Sequence, residues 1–188
     1  FDVAVVVIAT NSVFEGNIFD KNAVGLYFNA GSKNVVSNNV FIIPDDEQTG
    51  LKLVDCGSIT VANNVFGKYN YGDHSGITAI KTRYAKAIDI VGNIFNSITA
   101  SGGVGVCVWL DPVDGESYGI NINGNVFYIC YIGVWVSYQA YNRQIFIKGN
   151  LMKGDADGRY GQLFKVGRSG GNPQCELVAE GNAVWGDK

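Results

Sequence analysis

Three acidic residues lie close together in one polar segment and could perform acid–base chemistry. Asp111, Asp114 and Glu116 fall within the sequence Asp-Pro-Val-Asp-Gly-Glu-Ser. Cleavage of a glycosidic bond uses two carboxyl groups, one protonated as a general acid and one ionised. The same residue types are typical of a polar surface turn, so the segment alone leaves both interpretations open.

Basic and aromatic side chains that could bind or modify a sugar lie in neighbouring parts of the chain. Removal of a proton next to a uronate carboxyl group needs a cation that stabilises the enolate and a base that accepts the proton. Exposed indole rings bind the apolar face of a pyranose. The candidates are Lys81, Arg83, Tyr84, Tyr138 and Arg143 for proton transfer, and Trp109 and Trp135 for stacking. Packing of both tryptophans under a loop or against another subunit is the structural alternative.

A repeated sequence pattern predicts the elements that position these residues. An eight-residue motif occurs at 59–66, 88–95 and 120–127. Its first and third residues are apolar, its fifth is Gly or Asn, its sixth is always Asn, its seventh is aliphatic and its eighth is Phe. Weaker copies are centred on Asn17, Asn39, Asn150 and Asn182, so successive Asn residues are 22 to 32 positions apart. A period of this length is typical of stacked supersecondary units, which together form a solenoid.

Each repeat also contains a strand that begins with Gly. Its copies are 25–28, 50–53, 76–79, 105–108 and 133–136. This strand leads through a variable loop to the alternating strand, the Asn turn and a short third strand that starts at Phe. Alternate residues are expected to point inward and stack on their equivalents about 4.8 Å away. The constant Asn is expected to take the left-handed conformation at the corner and to hydrogen-bond its equivalents, while the repeated Phe forms an aromatic stack.

These features predict an all-β fold, a right-handed parallel β-helix of about six to seven coils with three short strands per coil. Leucine-rich repeats are the alternative, because they share the period and an Asn. They need Leu at most inward positions and a helical return, whereas the inward positions here are Ile, Val and Phe and no window forms a clear amphipathic helix. Residues 1–188 are expected to be a single domain and, since no initiator Met is present, a fragment of a longer repeat array.

Stacking brings the loops after the Gly-led strands to one corner of the solenoid. Asp55 is expected two coils below Asp111, about 10 Å away, from where carboxyl groups could reach the separation used by an inverting glycosidase. The candidate catalytic residues are therefore Asp111, Asp114, Glu116 and Asp55. The candidate substrate-binding residues are Trp109, Trp135, Tyr138, Lys81, Arg83 and Arg143.

The combination of the Gly-led strand with the Gly-Asn-x-Phe turn resembles the pectin-lyase-like superfamily of right-handed parallel β-helices. That superfamily includes pectate lyases, polygalacturonases, alginate lyases and epimerases, and the tailspikes and depolymerases of bacteriophages. The resemblance covers nearly the whole chain and is most like a tailspike or depolymerase fragment. It implies action on polysaccharides without singling out one activity.

Composition and charge argue against several classes of protein. The net charge is −3 and no run of Lys or Arg exceeds two residues, so no nucleic-acid partner is expected. No apolar stretch approaches the length of a membrane span, so no membrane insertion is expected. The four cysteines match no zinc or redox spacing and are expected to be free small hydrophobic residues. No cofactor and no metal site is expected.

An aliphatic residue directly follows each constant Asn and should point outward if Phe points inward. These residues are Ile18, Val40, Val65, Ile94, Val126, Leu151 and Ala183. A continuous aliphatic surface in water is unfavourable unless something covers it. Either the turn tucks these side chains inward, or further copies of the chain cover them in a homotrimer.

The favoured hypothesis is that the chain binds and cleaves a capsule or O-antigen polysaccharide as part of a trimeric tailspike in the virion tail or the extracellular space. The enzyme would then be a glycoside hydrolase or a polysaccharide lyase. The first alternative is a secreted uronate polysaccharide lyase or C5-epimerase. The second is a non-catalytic structural or adhesive fibre segment.

Overall fold

The computed structural model describes residues 3–43, 48–68, 76–99, 105–111, 116–137, 141–154, 162–166 and 175–185. Within these ranges the chain forms twenty strands, numbered here in chain order, and no helix. The strand pairings between them are parallel. None of the described segments is therefore a helix long and apolar enough to cross a membrane.

The strands follow each other around three faces, because each coil contributes one strand to each face. The first face consists of β1 (Val3–Val7), β4 (Val24–Ser32), the first part of β7 (Thr49–Ala62), β9 (Thr78–Arg83), β12 (Val106–Leu110), β15 (Ile132–Val136) and β18 (Gln162–Val166). The second face consists of β2 (Val13–Glu15), β5 (Val35–Ser37), the second part of β7, β10 (Lys86–Val91), β13 (Glu116–Asn123), β16 (Tyr141–Lys148) and β19 (Cys175–Glu180). The third face is a seven-stranded sheet of β3 (Ile18–Asp20), β6 (Val40–Ile43), β8 (Val65–Lys68), β11 (Ile94–Asn96), β14 (Val126–Tyr128), β17 (Leu151–Lys153) and β20 (Ala183–Trp185).

This arrangement confirms the predicted all-β parallel solenoid. Strands alternate inward and outward residues, so equivalent apolar residues meet inside the coil stack. On the first face Leu26 pairs with Leu51 and Leu51 with Ile80, and all three are fully buried. Because successive coils repeat the same inward residue types, one continuous apolar core runs through the solenoid.

The Gly-led strand was predicted out of register in two coils. Leu51 pairs with Ile80 and Val134 with Val108, so Ala79 and Cys107 occupy the positions expected for Gly76 and Gly105. Gly fits this position because a Cβ on Gly133 would lie 2.6 Å from the carbonyl oxygen of the next coil. Ala79 and Cys107 show that this constraint does not act in every coil, so Gly alone does not mark the start of this strand.

The repeated Phe residues form the predicted aromatic stack inside the third face. Neighbouring rings have centroids 4.6 to 5.1 Å apart and planes within 15° of parallel. The stack contains Phe19, Phe41, Phe66, Phe95 and Phe127. Met152 continues the same column and is buried.

The constant Asn residues form the predicted ladder at one corner. Between each pair of neighbours the Nδ2 of one Asn donates to the Oδ1 of the next at 3.0 Å. The members are Asn17, Asn39, Asn64, Asn93, Asn125, Asn150 and Asn182. The prediction that the ladder Asn takes the left-handed conformation is wrong. The residue before it takes that conformation, with φ of 55° at Asn38 and 65° at Gly92. The turn therefore uses two residues, one for the backbone conformation and one for the amide.

The aliphatic residues that follow the ladder Asn point outward. Their strands pair in register along the third face, and the side chain of Ile18 is 70% exposed and that of Ile94 45% exposed. We call the column of Ile18, Val40, Val65, Ile94, Val126, Leu151 and Ala183 the aliphatic stripe. The turn geometry does not tuck these side chains inward.

Candidate functional site

A column of aromatic and basic side chains runs along the outside of the first face. Strand pairing places one such residue in each of six successive coils at the same outward position. We call the column of Tyr27, Lys52, Lys81, Trp109, Trp135 and Lys165 the aromatic–lysine column. Side chains alternate between the two sides of a strand, and the residues before and after each column member point inward. Ile80 and Thr82, which flank Lys81, are both fully buried, so Lys81 points outward.

The members of the column contact each other along the solenoid axis. The indole rings of Trp109 and Trp135 stack with centroids 5.1 Å apart and planes at 8°. The ammonium group of Lys81 lies 4.0 Å from the Trp109 ring, and that of Lys165 lies 4.9 Å from the Trp135 ring. Lys52 lies over Tyr27 at 4.9 Å. These distances are typical of cation–π contacts, which hold the ammonium groups within the column.

This packing changes how the two tryptophans could contact a sugar. Each indole has one face against the other indole and the second face against a lysine, so a pyranose cannot stack on either face in this arrangement. The Nε1 atoms of both rings are buried, and neither has a hydrogen-bond partner among the described residues. A ligand would contact the outer edges of the rings and the ammonium groups beside them.

Asp111 belongs to this face. Its carboxylate forms an ion pair with Lys81 at 3.0 Å, and its backbone N–H donates to the carbonyl oxygen of Thr82 at 2.9 Å. A small pocket of about 350 Å³ adjoins the pair and is lined by Thr49, Gly76, Thr78, Lys81 and Trp109. Asp111 therefore orients Lys81 against Trp109.

A larger cleft lies at the corner between the first and second faces. It has a volume of about 730 Å³ and crosses successive coils. We call it the corner cleft, and its lining includes Ser32, Asp55, Cys56, Tyr84, Lys86 and Glu116. The corner forms where Ala30, Asp55 and Tyr84 take the left-handed conformation, with φ between 52° and 61°.

The corner cleft brings together two of the four candidate catalytic carboxylates. Val54 pairs with Arg83, so the residues that follow them, Asp55 and Tyr84, lie on neighbouring coils. In the next coil Tyr118 pairs with Lys86, and this register places Glu116 beside Tyr84. Asp55 and Glu116 are thus two coil steps apart, a backbone separation of about 10 Å. Tyr84 lies between them, and its hydroxyl accepts a hydrogen bond from Arg83 Nη2 at 3.3 Å.

The remaining predicted site residues have different outcomes. Asp114 and Tyr138 lie outside the described residues, and Arg143 lies in β16 without a described side chain. Lys81, Trp109 and Trp135 lie together in the column, and Arg83 lies beside it. Sequence reasoning missed Tyr27, Lys52 and Lys165. The outward residue of the Gly-led strand could have revealed the first two, because Tyr27, Lys52 and Trp135 occupy the same position of that motif.

Positive charges are crowded at the column. The pKa of Lys52 is lowered by its partial burial and by the nearby charges of Lys81 and Arg83, and Asp111 opposes this effect. In the wall of the corner cleft, burial raises the pKa of the Cys56 thiol to about 11, and the thiol donates to the carbonyl oxygen of Val54 at 2.9 Å. Cys56 therefore remains protonated near neutral pH and does not supply a thiolate nucleophile.

Cysteine and metal chemistry are limited in the part of the chain that the structure describes. Cys56, Cys107 and Cys130 are buried and free, as predicted, while the side chain of Cys175 is not described. Among the described residues no group of three or more His, Cys, Asp or Glu could hold a metal ion.

The fold defines the chain as a parallel β-solenoid with a column of basic and aromatic residues beside a corner cleft. No protein-family model matches the chain. A search of curated proteins finds no significant match either.

Proposed function

We propose that this chain binds a polysaccharide along the aromatic–lysine column and cleaves it in the corner cleft. The observation that carries the proposal is the position of the two features on neighbouring parts of one surface. Arg83 lies two residues beyond Lys81 in β9, and Tyr84, the next residue, lines the cleft. A column repeated over six coils suits a ligand that is itself a repeating polymer.

The chemistry best supported by the corner cleft is hydrolysis of a glycosidic bond. Inverting glycosidases hold two carboxyl groups about 6.5 to 9.5 Å apart, one as acid and one as base for water. Asp55 and Glu116 face the same cleft from coils two steps apart, a spacing of about 10 Å between backbones from which side chains could reach that range. Asp111, being paired with Lys81, would position substrate-binding groups, and Asp114 remains a further candidate.

The resemblance to phage tailspikes and depolymerases, within the pectin-lyase-like superfamily, supplies the biological part of the proposal. The substrate would be a capsule or O-antigen polysaccharide, and the protein would act in the virion tail or in the extracellular space. The aliphatic stripe would then be the surface by which copies of the chain form a homotrimer.

Single substitutions test the cleavage site. Asp55→Asn and Glu116→Gln are each expected to reduce the release of reducing ends from capsule or O-antigen by about a hundredfold or more. Asp111→Asn and Asp114→Asn are expected to have smaller effects. Asp20→Asn, at an exposed position of the third face, is the matched control. Unchanged turnover in all four candidate variants would remove the site assignment.

A lyase or C5-epimerase is the alternative favoured by the pairing of Arg83 with Tyr84, because a cation and a phenol are the parts that enolate chemistry needs. Unsaturated products that absorb in the ultraviolet would support the lyase. Binding of a glycan with no change in its length or composition would support the third hypothesis, a structural or adhesive fibre segment.

A further inference from the structure

We propose that the aromatic–lysine column selects an acidic polysaccharide, one that carries carboxylate, phosphate or sulfate groups, over a neutral one. This inference rests on the proposed function and specifies the substrate class of the same surface. It follows from the charges on the first face, from the partners of the lysines and from the spacing of the lysines along the solenoid.

The first face is positively charged on a chain whose net charge is −3. The column contributes Lys52, Lys81 and Lys165, and Arg83 lies in the neighbouring outward column. In the described part of these two columns the one carboxylate is Asp111, which pairs with Lys81. Charge is therefore segregated on this surface, and an acidic ligand would be attracted to it.

Two of the lysines have aromatic rather than acidic partners. Lys52 lies over Tyr27 and Lys165 over Trp135, and within the described ranges neither forms an ion pair. Partial burial and the nearby charges of Lys81 and Arg83 lower the pKa of Lys52, and the two charges repel its ammonium group. An anion beside Lys52 would relieve this repulsion, and the cation–π contacts keep the ammonium groups in place to receive it.

The spacing of the lysines favours a polymer over a small anion. Lys52 and Lys81 are on adjacent coils, while Lys165 is four coil steps from Lys52, roughly 19 Å along the axis. A single small anion reaches one end of this column, whereas an acidic polymer lying along the axis reaches both. Binding at several points on one chain strengthens the complex.

The covered indole faces argue against a single-stranded nucleic acid as the ligand. Single-stranded nucleic acids bind by stacking bases on exposed aromatic faces. Both faces of Trp109 and Trp135 are covered, so a base has no surface on which to stack. Ring edges and ammonium groups remain, and these suit hydroxyl groups and anionic substituents.

Matched pairs of polymers test the inference on the full chain. Polygalacturonate is compared with its fully methyl-esterified form, alginate with its propylene glycol ester, dextran sulfate with dextran, and oligo(dT) is included as a nucleic acid. In at least one pair the acidic member is expected to bind about tenfold more tightly at about 50 mM salt, and the difference should shrink at about 0.5 M salt. Equal or tighter binding of the neutral members, no binding of any acidic member, or tightest binding of oligo(dT) would overturn it.

Charge variants assign the effect to the column. Lys52→Gln with Lys165→Gln is expected to weaken binding of the acidic polymer about tenfold or more. The control is Lys148→Gln with Lys153→Gln, which removes two lysines that lie over Phe146 and Tyr128 on the other faces. The control should change affinity less than about twofold, and equal losses in both variants would contradict the assignment.

The two proposals fail in different ways. A glycan array on which the chain binds neutral glycans and no acidic ones would leave the proposed function standing and overturn the preference for acidic ones. An array without any glycan binding would remove both.

Discussion

Asn125 shows at the residue scale how one side chain joins three coils. Its Oδ1 accepts from the backbone N–H and the Nδ2 of Asn93, at 2.9 and 3.0 Å. Its Nδ2 donates to the Oδ1 of Asn150 at 3.0 Å and to the carbonyl oxygen of Ile90 at 2.9 Å. All of these groups are buried, so the amide satisfies polar atoms that have no access to water.

Replacing this side chain should therefore destabilise the solenoid strongly. Asn125→Ala removes the acceptor of the Asn93 backbone N–H and one acceptor of the Asn93 Nδ2, and it removes a donor to the Ile90 carbonyl oxygen. Each buried polar group left unsatisfied costs about 1–3 kcal/mol. We expect the free energy of unfolding in urea to fall by about 3 kcal/mol or more. Asn123→Ala, at the exposed last residue of β13, is the control and should change it by less than about 0.5 kcal/mol. Similar losses in both variants would contradict a specific role for the ladder.

The Cys56 thiol gives a second prediction at this scale. Its pKa is raised to about 11, mainly by burial, so the folded protein should resist iodoacetamide at about pH 8 while the urea-unfolded protein reacts. Since the folded pKa lies above the unfolded value, this thiol stabilises the fold at neutral pH, and that contribution is lost as the pH rises from about 9 toward about 11. Peptide mass spectrometry measures modification at Cys56, and rapid labelling of the folded chain would contradict its burial.

At the residue scale the sequence predicted the Asn ladder and the Phe stack because each residue type recurs at one position. It wrongly assigned the left-handed conformation to the ladder Asn, whereas the residue before it takes that conformation. This residue is Asn38 or Asn63 in two coils and Gly16, Gly92, Gly124, Gly149 or Gly181 in the others. It also predicted indole faces open to sugars. Contacts with Lys81 and Lys165 from other coils cover those faces, and such contacts depend on a register that the sequence did not fix for β9 and β12.

At the element scale the third-face strands are joined by the Phe stack. Phe95 is fully buried between Phe66 and Phe127, with ring centroids 5.1 and 5.0 Å away. Phe95→Ala removes a ring from the middle of this stack and leaves a cavity, which should lower the free energy of unfolding by about 3–5 kcal/mol. Phe95→Leu retains more of the volume and should cost less.

Phe164→Ala is the matched control for this element. Phe164 lies in β18 and is 41% exposed, so its removal should cost less than half as much as the loss of Phe95. Urea midpoints of the three variants measure the difference. Equal destabilisation by Phe95→Ala and Phe164→Ala would show that the stack adds nothing beyond the packing of a partly exposed Phe in the last described coil of the first face.

The candidate site could be predicted only in part because its residues come from different coils. Strand order and the corner were accessible from the repeat, and they correctly associated Lys81, Trp109 and Trp135. The sequence did not show that Asp111 pairs with Lys81 while Asp55 and Glu116 line the corner cleft, because this division depends on side-chain contacts between coils and on the left-handed bends at Asp55 and Tyr84. No local sequence pattern encodes such long-range contacts.

At the scale of the whole molecule the aliphatic stripe is the surface on which the proposed trimer depends. If the stripe is buried between copies, Val65→Lys with Ile94→Lys should convert a trimer into monomers, because two charges would enter an apolar contact. Sedimentation velocity measures the change. Val91→Lys, which places the same charge on an exposed apolar residue of the second face, should leave the trimer intact. A monomeric native chain, or a trimer that survives both stripe substitutions, would rule out this interface.

Binding of a glycan at the aromatic–lysine column can be measured most directly by tryptophan fluorescence. The chain has three tryptophans, and Trp185 lies 67% exposed on the third face, so Trp185→Phe leaves the stacked Trp109 and Trp135 as the emitters. The polysaccharide identified by array is titrated into this variant while calorimetry measures binding independently. We expect the emission to change and to saturate at the same ligand concentration as the heat of binding. Full binding by calorimetry with unchanged emission would show that the polysaccharide binds elsewhere.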